Sequence, residues 1–423
     1  MERKDVSCDV LVIGAGLAGM AASLFALEKG LVTAQAGLPG ETLFASSVLD
    51  LMAVTPIEEG RLWEDPFAAI AAEIAQNPAH PYAKVARKDI EAAFGAFTGF
   101  LAQAGMPYAG RDGRNVEILT PVGTSKRTYR VPESMWKAVL AMEEKAPCLI
   151  VDFEGLKGFS ARQIAETQKA DWPGLRFVRL DFPGMTGDLY VEKMAFALEG
   201  ESVRQALAEA VRPHIGDAAY VAFPAVLGHY RPGKVFAEME RLLGVGIFEI
   251  PTMPPGVTGL RLKAAFEEGL AGKGLKSLFQ KLVLGCRVEE DGSFLFSMGR
   301  NAEEFTVRAK AAILASGRFF GKGLKAEREL VREAVFGLPV EQPKGRAAWH
   351  QKDMFDQAGH PINRAGIVTD ARLRPLGADG LPAFPNLYAA GSILAGQDWI
   401  RMKCGAGTAL ATAYAAVNDI AAG

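Results

Sequence analysis

One short stretch near the N-terminus limits what this chain can fold into. The apolar run at residues 10–13 leads into Gly14-Ala15-Gly16-Leu17-Ala18-Gly19, and an Ala- and Leu-rich segment follows at once. A strand, a Gly-x-Gly-x-x-Gly turn and a helix in this order begin a βαβ unit. The free N–H groups at a helix start attract anions, so we expect these six residues to bind the diphosphate of a nucleotide-type cofactor. A purely structural glycine turn is the alternative.

Composition excludes several classes of function. The chain has 423 residues, which suggests two or three domains, and its formal net charge of −2 gives no bulk attraction to nucleic acid or to anionic lipid. Four scattered cysteines form no Cys-x-x-Cys pair, so we expect neither a bound metal nor an iron–sulfur cluster, and a reduced, cytoplasmic chain. The sequence contains no apolar run suited to crossing a bilayer, so we expect membrane contact only through a partner.

The second strand of the βαβ unit departs from the usual pattern. Residues 31–36 read as this strand, and an acidic residue normally ends it and binds the ribose hydroxyls of the adenosine half. This chain has Gln35 and Ala36 at that place. Either Gln35 hydrogen-bonds a ribose, or the cofactor is a mononucleotide that has no adenosine.

Later glycine-marked segments are similar to those of flavoproteins with two dinucleotide-binding folds. A buried-type strand ends in Ala315-Ser316-Gly317, a second strand ends in Gly391-Ser392, and Cys404 leads into a helix that starts with Gly405-Ala406-Gly407-Thr408. In such flavoproteins the second strand ends in Gly-Asp, and the acid binds the ribityl chain. Ser392 replaces that acid with a weaker hydroxyl partner. The helix start is expected to direct N–H groups at the pyrimidine oxygen of the flavin.

The resemblance to flavoproteins implies the fold class and further cofactor contacts. We expect an α/β, two-dinucleotide-binding (Rossmann-like) flavoprotein fold with an inserted α/β cap domain. The flavin-binding domain is expected to comprise residues 1–56 plus 251–423, and the cap or substrate-side domain residues 57–250. In the hydroxyl-rich loop at residues 37–51, Ser46 and Ser47 are expected either to contact the cofactor or to cap a helix.

Residues for substrate chemistry are less clearly marked. Lys126, Arg127 and Arg130 form a basic patch that either holds a phosphate or carboxylate or is a solvated loop. Among the five histidines, His350 is the best candidate for a catalytic base because it lies close in sequence to the later cofactor segments. Arg401 and Lys403 precede the last helix and are expected either near the flavin ring or on a solvated surface.

Several longer motifs are not generic to flavin enzymes. The chain resembles the B subunits of the anaerobic glycerol-3-phosphate dehydrogenase family nearly from end to end. The segments that carry this resemblance are Phe44-Ala45-Ser46-Ser47-Val48-Leu49-Asp50-Leu51, Ala79-His80-Pro81-Tyr82, Thr120-Pro121-Val122-Gly123-Thr124, Pro251-Thr252-Met253-Pro254-Pro255, Ala315-Ser316-Gly317-Arg318-Phe319-Phe320, Gly366-Ile367-Val368-Thr369-Asp370 and Leu373-Arg374-Pro375.

The resemblance implies a respiratory function. The family complex oxidises sn-glycerol 3-phosphate to dihydroxyacetone phosphate and passes the electrons to quinone. An A subunit with FAD is credited with substrate oxidation, the B subunit is assigned FMN, and a C subunit carries iron–sulfur clusters and the membrane contact. The missing acids suit FMN, with FAD as the alternative. A stand-alone flavin oxidoreductase and a non-catalytic scaffold with a flavin fold are the competing hypotheses.

Overall fold

A computed structural model describes residues 4–423, and at residues 4, 40 and 41 the backbone alone. The strands in this part of the chain are β1 (Lys4–Ile13), β2 (Thr33–Gly37), β3 (Tyr108–Gly110), β4 (Val116–Leu119), β5 (Ser125–Thr128), β6 (Arg130–Pro132), β7 (Cys148–Phe153), β8 (Leu175–Leu180), β9 (Tyr220–Pro224), β10 (Gly246–Ile250), β11 (Lys276–Phe279), β12 (Leu282–Val288), β13 (Phe294–Gly299), β14 (Glu303–Leu314), β15 (Leu324–Ala326), β16 (Val331–Glu333) and β17 (Leu387–Ala389). The helices are α1 (Leu17–Glu28), α2 (Pro66–Gln76), α3 (Arg87–Gln103), α4 (Glu133–Glu144), α5 (Ala161–Gln168), α6 (Val191–Ala197), α7 (Glu201–Val211), α8 (Pro232–Leu243), α9 (Val257–Gly272), α10 (Trp399–Met402) and α11 (Gly405–Ala422).

The chain divides into two compact units. The first comprises the chain up to Glu41, Asp50–Thr98 and Phe266–Gly423, and the second comprises Thr42–Leu49 and Gly99–Ala265. Residues 42–49 and 251–265, which we expected in the flavin-binding domain, lie in the second unit. Residues 57–98, which we expected in the inserted domain, lie in the first unit. Two hydrogen bonds within that unit show why: the Tyr82 hydroxyl donates to the Leu51 carbonyl at 2.6 Å, and the Asn77 amide donates to the Gly396 carbonyl at 2.8 Å.

The first unit is built on a seven-stranded sheet. Its strands run in the order β11-β2-β1-β14-β13-β12, and β17 also pairs with β14. The five strands β11, β2, β1, β14 and β17 are parallel, whereas β12, β13 and β14 form an antiparallel meander. Numbered along the chain, the parallel strands have the order 3-2-1-4-5, which is that of the Rossmann fold. The chain changes direction across the sheet between β1 and β14, and ligands bind at such a switch point in this fold.

The core of the first unit explains why β1 reads as a continuous apolar run. Val10, Leu11 and Val12 are fully buried because the strand lies between two parallel neighbours, β2 and β14, in the interior of the sheet. Helix α1 is also buried along much of its length, and its contacts with α11 are the most extensive between two helices in the unit. Ala and small residues allow this close helix packing.

The second unit contains a separate parallel sheet of four strands in the order β10-β9-β7-β8. Apolar-rich runs at residues 149–153, 176–180, 218–223 and 247–250 predict four strands from the sequence. The structure confirms all four within one or two residues at each end. A buried ion pair stabilises this unit: Arg261 donates two hydrogen bonds to Glu249, at 2.7 and 2.9 Å, and both side chains are at most 5% exposed.

Candidate functional site

The turn between β1 and α1 can be made only by glycine at its first position. Gly14 has φ +136°, and a Cβ atom there would lie 2.0 Å from the backbone oxygen of Ala315. The same turn is held on both sides, because the Gly14 N–H donates to the Ala36 carbonyl and the Ala315 N–H donates to the Ile13 carbonyl. The carboxyl ends of β2, β1 and β14 therefore meet at the glycine turn.

Two further glycines keep the backbone around this turn close together. A Cβ atom at Gly19 would lie 2.1 Å from the Gly14 oxygen, so α1 packs directly against the turn. Gly37, at the end of β2, has φ +144°, and its Cβ atom would lie 2.9 Å from the Ala15 nitrogen. Helix α1 begins after Gly16 with neither a side-chain cap nor an acidic residue in its first turn. Its first N–H groups are thus left for an anion.

A cavity of about 230 Å³ lies beside the turn. One buried polar atom at its wall, the Ser316 hydroxyl oxygen, has no hydrogen-bond partner in the described part of the chain. Small-molecule sites commonly measure about 300–1,000 Å³, so this cavity would enclose one end of a dinucleotide, not all of it. Its lining residues are Ile13, Gly14, Ala15, Gly16, Ala36, Gly37, Leu38, Lys281, Leu282, Val283, Ala315, Ser316, Gly321, Lys322, Ala334 and Val335.

The segments that end β14 and β17 lie at the same edge of the sheet. Gly317 and Gly391 have φ +66° and +79°, values that favour glycine. A Cβ atom at Gly391 would lie 2.5 Å from the Cβ of Ala18, and the Gly391 N–H donates to the Thr412 hydroxyl at 2.9 Å. The predicted segments 14–19, 315–317 and 391–392 are thus brought together by the sheet and by helices α1 and α11.

Comparison with known proteins agrees with this geometry. Residues 9–408 match the family described as FAD binding domain. The chain is 30% identical over 428 residues to the B subunit of the anaerobic glycerol-3-phosphate dehydrogenase of Vibrio cholerae, covering 98% of this chain and 96% of the relative. It is 32% identical over 425 residues to the probable B subunit of the same dehydrogenase in Halobacterium salinarum, covering 97% of each. The chain belongs to this family of B subunits.

The family assignment confirms the resemblance described above and the α/β flavin-binding fold. It also makes the chain a flavoprotein subunit of a dehydrogenase that has more than one subunit. Among solved structures, a 3-ketosteroid-Δ4-(5α)-dehydrogenase from Rhodococcus jostii aligns over 100% of this chain and 98% of its own, with 12% identity and a TM-score of 0.42. A similarity this weak adds nothing to the assignment, which depends on the sequence relatives.

In this family member, the Gln35 side chain lies against the glycine turn. The side chain is 1% exposed and does not line the cavity. Its amide nitrogen donates to the Gly14 carbonyl at 2.9 Å, and its amide oxygen is buried without a partner in the described part of the chain. The structure therefore gives Gln35 a role in holding the turn, and contact with a ribose stays a prediction.

The start of α11 uses one of its amides within the protein. The Gly407 N–H donates to the Asp50 carbonyl at 2.7 Å, and a Cβ atom at Gly407 would lie 2.0 Å from the Tyr82 hydroxyl. The Thr408 hydroxyl donates to the Cys404 carbonyl at 3.0 Å. These glycines therefore serve close packing, and the expected N–H contact to a flavin is restricted to the first residues, Gly405 and Ala406.

The serines of the hydroxyl-rich loop belong to the second unit. Ser47 has φ +62°, its hydroxyl donates to the Thr258 carbonyl at 2.8 Å, and its own carbonyl accepts from the Tyr108 hydroxyl at 2.7 Å. Ser47 neither caps a helix through these bonds nor directs its hydroxyl outward. Ser46 is half-buried next to it. Cofactor contact by either serine stays a prediction.

The three cations of the basic patch do not form one cluster. Lys126 and Arg127 are consecutive in β5, so their side chains point to opposite faces of the strand. Arg130 donates to the Arg111 carbonyl at 2.8 Å and to Asp112 at 2.7 Å, and its guanidinium lies over the Tyr129 ring. Alternation along the strand thus separates residues that are neighbours in sequence.

The three candidate catalytic residues, His350, Arg401 and Lys403, lie in the first unit. His350 is exposed, and its ring lies edge-on to that of His360 with 5.2 Å between ring centroids. Arg401 pairs with Asp398 at 3.4 Å, and Lys403 has φ +53° directly after α10. None of these contacts identifies a base beside a substrate, so the three roles remain predictions.

Sequence reasoning missed the most constrained cation of the site, Arg318. It follows Gly317, and its guanidinium donates to the backbone carbonyls of Ser392 at 2.6 Å, Gln397 at 2.8 Å and Leu394 at 3.2 Å. It also donates to the Asn363 carbonyl. Burial lowers the pKa of Arg318 to about 10. The sequence places Arg318 directly after Ala315-Ser316-Gly317, which was a signal that it lies near the site. A single arginine in a sequence does not show which groups its guanidinium will contact.

The second unit also has a switch point, between β7 and β9, and the chain itself fills the anion positions there. The buried carboxylate of Asp152 accepts hydrogen bonds from the Phe153 and Ala161 N–H groups, and burial raises its pKa. Glu199 accepts from three successive N–H groups, those of residues 229–231, at 2.8–3.0 Å. These amides are therefore not available to a cofactor phosphate.

Clusters of metal ligands and membrane-spanning helices are both absent from residues 4–423. No group of three or more His, Cys, Asp and Glu side chains there could hold a metal ion. No helix in that range is both long enough and apolar enough to cross a bilayer.

Proposed function

We propose that this chain carries the flavin of a glycerol-3-phosphate dehydrogenase complex. In that reaction sn-glycerol 3-phosphate loses two electrons to become dihydroxyacetone phosphate, and the electrons pass to quinone. The observation that carries the proposal is the close-packed backbone of Gly14–Gly19 and Gly37 at the β1–β14 switch point, which we call the glycine cradle. The chain that contains it is similar over 97–98% of its length to proteins named as subunits of this dehydrogenase.

We propose FAD as the cofactor in preference to FMN. The cavity extends from the glycine turn to Ala36–Leu38 at the end of β2, where the adenosine half of a dinucleotide binds in this fold. FMN, which lacks adenosine, would leave that space unfilled. The family resemblance implies FMN, and the missing ribose acid and Ser392 suit FMN. The cavity beside the end of β2 and the match to the FAD binding domain family both weigh against that argument.

The residues of the cradle have separate roles in this proposal. The flavin, when bound, supplies the two-electron acceptor. The backbone of Gly14–Gly16 and the first turn of α1 bind its diphosphate, because N–H groups and the helix dipole both favour negative charge there. The Ser316 hydroxyl, which is otherwise without a partner among the described residues, donates to the ligand at the cavity wall. Gln35 holds the turn in shape through Gly14.

A bulky side chain at the cavity wall tests the choice of cofactor. Ala334 lines the cavity and is exposed, so Ala334→Trp narrows the cavity without entering the core. We expect the affinity of the apoprotein for FAD to fall roughly ten- to hundredfold, because filling a fitted site costs about 1–3 kcal/mol, and the affinity for FMN to be unchanged. Ala326→Trp is the control, since Ala326 is exposed nearby but does not line the cavity.

Chromatography and mass spectrometry of the flavin released on denaturation complete this test. FAD at about one per chain, together with FAD-selective loss in the Ala334→Trp variant, would support the assignment. FMN in the purified chain, bound equally by both variants and the parent, would contradict it. Absence of any flavin, when a control flavoprotein retains its own, would favour the scaffold hypothesis.

We further propose that the chain relays electrons within the complex. A FAD-containing A subunit would oxidise the substrate, and an iron–sulfur C subunit would accept the electrons and provide the contact with the cytoplasmic membrane. Support comes from the relatives, which are named as one subunit of several. His350, Arg401 and Lys403 remain the candidates for substrate contact if this chain itself binds glycerol 3-phosphate.

A further inference from the structure

Arg318 is a half-buried cation whose contacts are almost all backbone carbonyls. Its guanidinium contacts four of them, on two segments far apart in sequence: residue 363, and residues 392, 394 and 397. Arginine is suited to this arrangement because its planar group holds five N–H donors in fixed directions. A lysine or methionine at this position could not reach all four oxygens at once.

The segment that Arg318 holds contains the predicted flavin contacts Gly391 and Ser392. Its interior is polar: the fully buried amide of Gln397 donates to the Gly391 carbonyl at 3.0 Å and to the Leu394 carbonyl at 3.3 Å. Arg318 in turn donates to the Gln397 and Ser392 carbonyls. The guanidinium therefore connects the segment after β14 to residues 391–397, which follow β17. Both segments lie at the carboxyl edge of the sheet.

The charges around Arg318 leave a positive excess. Asp398 is 3% exposed and is the nearby carboxylate that interacts with Arg318, yet it also pairs with Arg401 and accepts a hydrogen bond from the Asn363 amide. Two cations thus share one carboxylate, which gives this group a formal charge of +1. In a partly buried site, such a charge acts on its surroundings more strongly than it would in water.

We propose that Arg318 is a positioning residue that orients residues 391–397 towards the flavin and stabilises the reduced flavin by its charge. The inference rests on the proposed function, because it requires that the chain binds a flavin at the cradle. Reduction adds negative charge to the pyrimidine side of the flavin ring, so a fixed cation nearby favours the reduced form. No substrate contact is assigned to Arg318.

Two substitutions separate the geometric and electrostatic parts of this role. Arg318→Lys keeps the charge but loses the fork of donors, whereas Arg318→Met loses both. Arg374→Met is the matched control, since Arg374 is also half-buried in the first unit but pairs with Asp370 at 2.7 Å instead of with the cofactor segments. For each variant we would measure flavin affinity by titration of the apoprotein, the flavin midpoint potential by spectroelectrochemistry, and the thermal unfolding of the apoprotein.

We expect both Arg318 variants to bind the flavin at least about tenfold more weakly, because one lost hydrogen bond to a charged group is worth about as much as a tenfold change in affinity. The midpoint potential should fall in Arg318→Met and stay near the parent value in Arg318→Lys, and Arg374→Met should match the parent in both properties. A parent-like potential and affinity in Arg318→Met would overturn the inference. A fall in unfolding temperature with no change in potential would also overturn it, since that pattern indicates a purely structural residue.

The same measurements keep the inference distinct from the proposed function. A parent chain that binds neither FAD nor FMN would refute the proposed function, and with it the basis for the inference. A parent chain that binds flavin normally, together with unaffected Arg318 variants, would refute the inference alone.

Discussion

At the scale of single residues, the buried side chain of His80 leads to a specific prediction. His80, in the Ala-His-Pro-Tyr segment, is fully buried in the first unit. Its Nδ1 accepts a hydrogen bond from the Tyr82 N–H at 3.2 Å, so the ring proton is on Nε2, which has no partner among the described residues. Burial is the main cause that lowers the pKa of His80 to about 3, and the charge of Arg364 lowers it further. The imidazole is therefore neutral in the folded chain at any ordinary pH.

This burial predicts a specific loss of stability in mild acid. The unfolded chain binds a proton at His80 below pH about 6.5, but the folded chain does so only near pH 3, so the free energy of unfolding falls as the pH drops through this window. In His80→Asn, whose side-chain oxygen can still accept from Tyr82, the loss of stability between pH 7 and pH 5 should be smaller by about 1–2 kcal/mol.

Urea unfolding at pH 7, 6 and 5 measures this effect. His214→Asn is the control, because His214 is exposed and the variant makes the same substitution away from the buried site. An identical pH dependence in His80→Asn and the parent chain would show that His80 does not titrate in this way.

At the scale of elements, the site depends on how closely β1, β14 and α1 approach one another. Three backbone approaches, at Gly14, Gly19 and Gly37, leave no room for a Cβ atom, and each joins a different pair of segments. The glycines therefore determine the spacing of the carboxyl edge as well as the conformation of the turn. A diphosphate can approach the backbone there only while this spacing is kept.

The Gly14→Ala variant tests this argument against Gly30→Ala. Gly30 has φ +76° with no atom within 4 Å of its Cβ position, so alanine there brings only the backbone penalty of roughly 1–2 kcal/mol. At Gly14 the new Cβ would also collide with the Ala315 oxygen, and we expect a loss of about 3 kcal/mol or more together with loss of the flavin. Chemical unfolding and the flavin content after desalting measure the two effects. Equal results for the two variants would show that the contact with Ala315 does not matter.

At the scale of the whole molecule, the chain contains one mixed and one parallel sheet, and the two differ at the switch points of their parallel strands. The first unit leaves the N–H groups at the start of α1 without side-chain caps, whereas the second fills its amides with Asp152 and Glu199. We therefore propose that the flavin binds to the first unit only. Residues 4–423 contain no group of three or more His, Cys, Asp and Glu side chains that could hold a metal ion.

This organisation predicts how the isolated chain behaves. With its flavin bound, the purified chain should not turn over glycerol 3-phosphate with a soluble dye as electron acceptor, because we assign substrate oxidation to a partner. Dithionite should reduce its flavin, and the dye should reoxidise it, which controls for an inactive preparation. Adding a FAD-containing partner subunit should start turnover. Sustained turnover by the chain alone would instead favour a stand-alone oxidoreductase.

Local features of the sequence were sufficient to predict the β1–turn–α1 unit, the four strands of the second sheet and the family. Glycine spacing, apolar runs and short motifs depend on residues close together in the chain, so they can be interpreted without a structure. The tertiary structure decided which neighbours these residues meet. Gln35 contacts Gly14, Gly407 contacts Asp50, and Lys126 and Arg127 point apart.

The contacts of Arg318 show the same limit most clearly. Its carbonyl partners lie 45–79 residues further along the chain, and no pattern in the sequence marks a backbone oxygen as an acceptor for a distant guanidinium. The sequence by itself determined which segments form the cradle, because strand, turn and helix preferences are local. Only the fold decided which residues line the cavity beside the cradle, because that depends on burial and on partners far apart in the chain.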